Sequence, residues 1–85
     1  MNDVVHFVLA GVSCSLTRQD VERRLIHTDP APITLHAVSI NGLWYPVGQA
    51  LEVATGVDRR KFRSREARRH LAQFGFELQS SVPRR

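Results

Sequence analysis

Residues 33–46, ITLHAVSINGLWYP, decide the fold. Two β-prone runs flank Asn41-Gly42, a pair suited to a two-residue turn in which both positions take positive φ. The stretch reads as a hairpin, Ile33–Ile40 against Leu43–Tyr45. Trp44 and Tyr45, the chain's one tryptophan and one tyrosine, are neighbours on a strand and therefore point to opposite faces. One packs into the core, and the other stays partly exposed.

Downstream, the period changes from two to that of a helix. Pro46 suits a first helical position, where no amide is needed, and Val47, Ala50, Leu51 and Ala54 follow at i, i+3, i+4 and i+7. A helix over 46–55 ends at Gly56, which can take the left-handed conformation that closes it. VDRRKFR, residues 57–63, is a linker. Ser64 is expected to cap a last helix, 65–74, whose buried stripe is Ala67, His70, Leu71 and Phe74. Gly75 ends it, FELQ (76–79) returns as an edge strand, and SSVPRR (80–85) is a loose, flexible tail.

Upstream, VVHFVLAGV reads as a buried strand from Val4 to Ala10, stopped by Gly11. In SLTRQDVERRLIH, Thr17 can cap a helix over 18–26 and Asp20 suits the positive end of its dipole, while Leu16 and Val21 occupy the positions of a hydrophobic staple. The prolines of TDPAP stop that helix. The predicted order is β-α-β-β-α-α-β: a small single α+β domain over 1–79, with a β-hairpin followed by a helix pair.

The chain has 85 residues, 42% hydrophobic and 24% charged, enough for one modest core and unlike a disordered segment. Its single cysteine, Cys14, cannot form an internal disulfide, and the start MNDVVHF lacks the basic residues of a signal peptide. No apolar run approaches the roughly 20 residues of a membrane span. A reducing cytoplasmic setting is expected, with no membrane partner.

Nothing in the pattern points to catalysis. His6, His27, His36, His70 and Cys14 show none of the short paired spacings that bring two ligands to one metal. Ser13-Cys14-Ser15 lacks a glycine elbow and an identifiable base, and the carboxylates are scattered. The reading is a protein that is not an enzyme and has no cofactor or metal.

Charge is the one strong functional signal. Of the chain's twelve basic residues, seven lie between Val57 and His70 against two acidic ones, so this stretch carries a net +5 in a chain of net +4. Such concentration creates a directional field suited to a polyanion. Arg65, Arg68 and Arg69 share a helical face opposite the apolar stripe, and Arg59, Arg60, Lys61 and Arg63 lead into that helix, whose free amides and dipole also favour phosphate. The expected partner is nucleic acid, duplex DNA foremost, met by a helix-turn-helix-like pair with a long turn. The alternative is a protein-interaction module (an adaptor, antitoxin-like partner or accessory subunit) that docks through Leu43, Trp44 and the edge strand 76–79.

From Ile33 to Leu78 the chain also resembles a known module. The turn glycine Gly42, the aromatic-Tyr-Pro start at Trp44-Tyr45-Pro46, the Phe62-Arg63-Ser64 helix start and the Leu71-x-x-x-Gly75-Phe76 close are similar to the N-terminal head of actinomycete McrA-type, modification-dependent HNH restriction endonucleases. That pattern carries a lysine where this chain has Gly48, and no part of the chain resembles the HNH nuclease. The resemblance implies an accessory DNA-binding or docking module of bacterial defence without the cleaving domain.

Overall fold

The structure is a computed structural model that describes residues 3–33 and 35–80. It contains β1 (Val4–Leu9), β2 (Val12–Thr17), α1 (Arg18–Leu25), β3 (His36–Ile40), β4 (Leu43–Pro46), α2 (Val47–Thr55), a single 3-10 turn at Arg59–Lys61, α3 (Ser64–Gln73) and β5 (Glu77–Ser80). The α+β class and the hairpin followed by two helices agree with the sequence reading. The order gains one strand, because VSCSLT forms β2 instead of a loop before the first helix.

Two antiparallel sheets result: the ribbon β1-β2 and a three-stranded sheet in the order β4-β3-β5. β1 and β2 are joined by Ala10-Gly11, whose φ values of 51° and 80° give the same left-handed pair as Asn41-Gly42 at 55° and 80°. The ribbon register runs without a break from Val4↔Thr17 to Leu9↔Val12. Phe7, Leu9, Cys14 and Leu16 turn inward, and Val4, His6 and Val8 turn out to solvent. β1 is thus half-exposed, whereas a buried strand was expected from its valines.

In the second sheet, Val38 stands opposite both Tyr45 and Leu78. Val38, Ile40 and Tyr45 are buried against the helices. Tyr45 donates its hydroxyl proton toward the carbonyls of Leu25 (3.2 Å) and Thr28 (3.1 Å), tying the end of α1 to β4. Burial pushes the Tyr45 pKa up, with the nearby Asp29 carboxylate acting the same way. Ile33 and Leu35 fall outside β3 and are exposed.

The three helices share the core. α1 opens with a capping box, in which the Asp20 amide donates to Thr17 Oγ1 (3.0 Å) and the Thr17 amide to Asp20 Oδ2 (2.9 Å). The Thr17 amide first, and then the Thr17 side chain, hold the Asp20 carboxyl below its ordinary range, with Arg23 and Arg24 adding to the effect. α2 buries Val47, Ala50, Leu51 and Ala54 and closes on Gly56 at φ 81°, whose amide donates to Glu52 O at 2.7 Å. α1 ends at Leu25, and Ile26, next in line, is exposed. Val57 and Phe62 are buried and pin both ends of the 57–63 connection to the core.

Ser80 is the last residue of β5, and the rest of the expected tail lies outside the described residues. Among the described residues, no helix is long and apolar enough to cross a membrane.

Candidate nucleic-acid interface

α3 places its side chains by simple helical geometry. Ala67, His70, Leu71 and Phe74 are buried, so positions half a turn away must face solvent. Arg65 and Arg69 occupy that face and are exposed. Arg68 lies on the flank beside Leu71 and is half-buried, with its Nε shielded from water and without a hydrogen-bond partner among the described residues.

The two flanks of α3 touch different sheets. On one flank, His70 is only 5% exposed and stacks on Phe7 of β1 at 4.5 Å between ring centroids, while Phe74 meets the same ring edge-on. His70 Nδ1 lies 3.4 Å from Gln73 Oε1, and its Nε2 has no partner among the described residues. This histidine belongs to the core, as its place in the apolar stripe suggested. On the other flank, Arg68 stands near His36 at the start of β3. Burial lowers the His36 pKa, and the positive charge of Arg68 lowers it further. His36 Nδ1 is 3.0 Å from Ser80 Oγ across the β3-β5 pair.

The seven cationic side chains expected to act together separate into two groups. Arg59 pairs with Glu52 (Nε to Oε1, 3.0 Å), and Arg60 pairs with Asp58 (Nη2 to Oδ2, 2.8 Å). Hydrogen bonds from the Arg60 side chain and amide bring the Asp58 carboxyl from an ordinary 3.8 to about 2. Asp58 thereby caps the 3-10 turn and offsets part of the linker's charge. Lys61, Arg63, Arg65, Arg68 and Arg69 have no carboxylate within ion-pair distance among the described residues. These five provide the uncompensated positive surface.

The start of α3 differs from the sequence reading in one respect. Arg63 occupies the cap position, and Ser64 is the first helical residue. The Arg63 amide donates to Glu66 Oε1 at 3.3 Å, so a carboxylate already sits at the positive end of this helix. A phosphate at that terminus would compete with Glu66, so the side chains of the solvent face are the stronger part of the candidate interface.

The alternative site lies elsewhere. Trp44 stands opposite Ser39 on the sheet face turned away from Tyr45 and the helices, and is 36% exposed; Leu43 is 48% exposed at the edge of the sheet. Trp44 and the arginine face of α3 therefore belong to different surfaces. Other arginines have structural work: Arg18 donates to Gly75 O (3.2 Å) and lies over the Phe76 ring, and Arg24 donates to Ala54 O (2.6 Å). A cleft of about 320 Å³ opens beside Arg18, lined also by Asp3, Gln19 and Gln73, and none of the seven candidate cations enters it. Among the described residues, no three His, Cys, Asp or Glu side chains gather closely enough to hold a metal ion.

Sequence reasoning missed His36 as a neighbour of the arginine face. Its proximity to Arg68 depends on how α3 packs on β3, which no local pattern encodes. The chain matches the SCO5918-like family over residues 5–85, nearly its whole length, and belongs to that family. No curated protein and no solved structure matches it.

Proposed function

We propose that this member of the SCO5918-like family is a small nucleic-acid-binding protein that grips the phosphate backbone of duplex DNA. The observation that carries the reading is the uncompensated surface of Lys61, Arg63, Arg65, Arg68 and Arg69 on α3 and its leader, in a chain whose remaining residues sum to a slight negative charge. Arg65 and Arg69 reach phosphates from the exposed face, and Arg68 works from the flank beside His36. Arg59 and Arg60 add to the long-range field but must leave Glu52 and Asp58 to touch a phosphate. The resemblance of residues 33–78 to restriction-endonuclease head modules implies a role of the same kind, as an accessory DNA-docking module.

Binding to a short duplex should be detectable by fluorescence anisotropy at about 50 mM salt and should weaken steeply above it, because each phosphate contact releases a counterion. Five contacts correspond to a slope of roughly −4.5 in log K against log salt, or a loss on the order of 10²–10³ between 50 and 200 mM. Absence of binding to any duplex or single strand at the lower salt would refute the reading.

A second reading rests on Trp44, exposed on the sheet face turned away from the helices, with Leu43 exposed at the edge of the same strand; both would contact a protein partner that docks over this edge. It gains only if Trp44→Ala abolishes a specific protein complex while the arginine substitutions leave that complex intact.

A further inference from the structure

The least guarded surface of the molecule is the outer edge of β1. Residues 4–17, VVHFVLAGVSCSLT, contain no Asp, Glu, Lys, Arg or Pro, in a chain that is 24% charged. Proteins ordinarily protect open strand edges with charges, prolines, bulges or shortness. The other edges of this molecule follow that rule: β4 has four residues and ends on Pro46, and β5 has four residues and carries Glu77. The edge of β2 lies beside Arg24 and Thr55, which line a small hollow with Val12–Leu16. β1 has six residues, an unbroken register and no such device. α3 reaches it through the inward-pointing ring of Phe7, and among the described residues β1 pairs with no strand but β2, so its outer edge carries no partner there.

We propose that β1 is the interface of a two-fold dimer, in which Val4–Leu9 of one copy pairs antiparallel with the same strand of a second copy. Two ribbons would then form one four-stranded sheet in the order β2-β1-β1-β2. Three properties favour a second copy as the occupant. A strand that carries no formal charge is complementary to itself in the isologous arrangement that closes a dimer. Each chain has a net charge of +4, so copies repel over most approaches, and the uncharged strand is where they meet at least cost. Val4 and Val8, 48% and 61% exposed, become cross-strand apolar neighbours along the joined sheet, and a two-stranded ribbon, marginal alone, gains the extra strands that make a sheet stable. An acidic or basic partner finds no opposite charge on this strand.

Sedimentation of the full chain from about 1 μM to about 1 mM tests the proposal, since that range spans weak to moderate self-association. The expected result is a monomer-to-dimer transition and nothing larger. The double variant Val4→Lys with Val8→Lys places lysines on the exposed side of the strand and is expected to raise the dissociation constant at least ~10-fold, with unchanged far-UV circular dichroism. A monomer at every concentration overturns the proposal. So does growth beyond a dimer, or a folded variant that dimerises like the parent. Should the variant not fold, amide exchange in the unmodified protein decides the matter: β1 amides must gain protection on concentration, and unchanged exchange there overturns the proposal.

Discussion

Residues 4–17 and 57–70 are each fourteen residues long and differ in almost every physical respect. The first stretch has no formal charge and forms a hairpin; the second carries a net +5 and forms a pinned turn and a helix. Yet both contribute to one core, because Phe7 of the hairpin stacks on His70 of α3. The difference teaches that the chain separates its tasks by surface and not by domain. Apolar side chains from both stretches meet inside, while the outside of one is uncharged and that of the other is dense with arginine.

The largest expected effect tests whether the two stretches are one folding unit. Phe7→Ala removes a buried ring from the contact between them and should cost about 3–5 kcal/mol, much of the stability of so small a domain. Urea denaturation followed by circular dichroism should show one transition moved to lower urea. If the ribbon melts while α3 stays folded, the stretches are independent and the comparison fails.

A smaller effect sharpens the arginine side. His36 is held below its ordinary pKa first by burial and then by Arg68, so the folded state resists its protonation. Its contribution to stability is therefore intact above the usual histidine range and falls as pH drops below about 6.5. Followed by NMR, Arg68→Ala should move the His36 titration upward but not fully to the ordinary value, since burial remains. No movement would place Arg68 too far away to matter. Less is expected from the linker. Arg60→Ala should raise the Asp58 titration from about 2 toward 3.8, and the cap on the 3-10 turn, present above about pH 4, should then be lost at higher pH than in the parent. An Asp58 midpoint still near 2 would show that another group holds the carboxylate.

Much of the fold was legible because local chemistry and tertiary structure agree at particular residues. Asn41-Gly42 announced its hairpin, Gly56 ended α2, and the stripe Ala67-His70-Leu71-Phe74 oriented α3. The first hairpin was obscured for two reasons. Ala10 occupies a left-handed turn position that alanine seldom takes, and valines on both faces of β1 hid its alternation. The alternation was present in β2, where Cys14 and Leu16 point inward between serines, but the sequence reading assigned no element to this stretch. Of the candidate site, the exposure of Arg65 and Arg69 was readable from helical spacing, but the same spacing put Arg68 on their face, whereas it lies half-buried on the flank. The pairing of Arg59 with Glu52 and the approach of Arg68 to His36 were not readable, because each depends on where separate elements pack.

The central claim is that Arg65, Arg68 and Arg69 face phosphate. The salt dependence of duplex DNA binding, measured for the parent, for the triple Arg65, Arg68, Arg69→Ala variant and for Trp44→Ala, tests it most directly. The triple variant should bind far more weakly, with a log–log salt slope shallower by roughly 2.7, about 0.9 for each phosphate contact removed, and Trp44→Ala should keep the parental slope. A triple variant with parental affinity and slope would contradict the account.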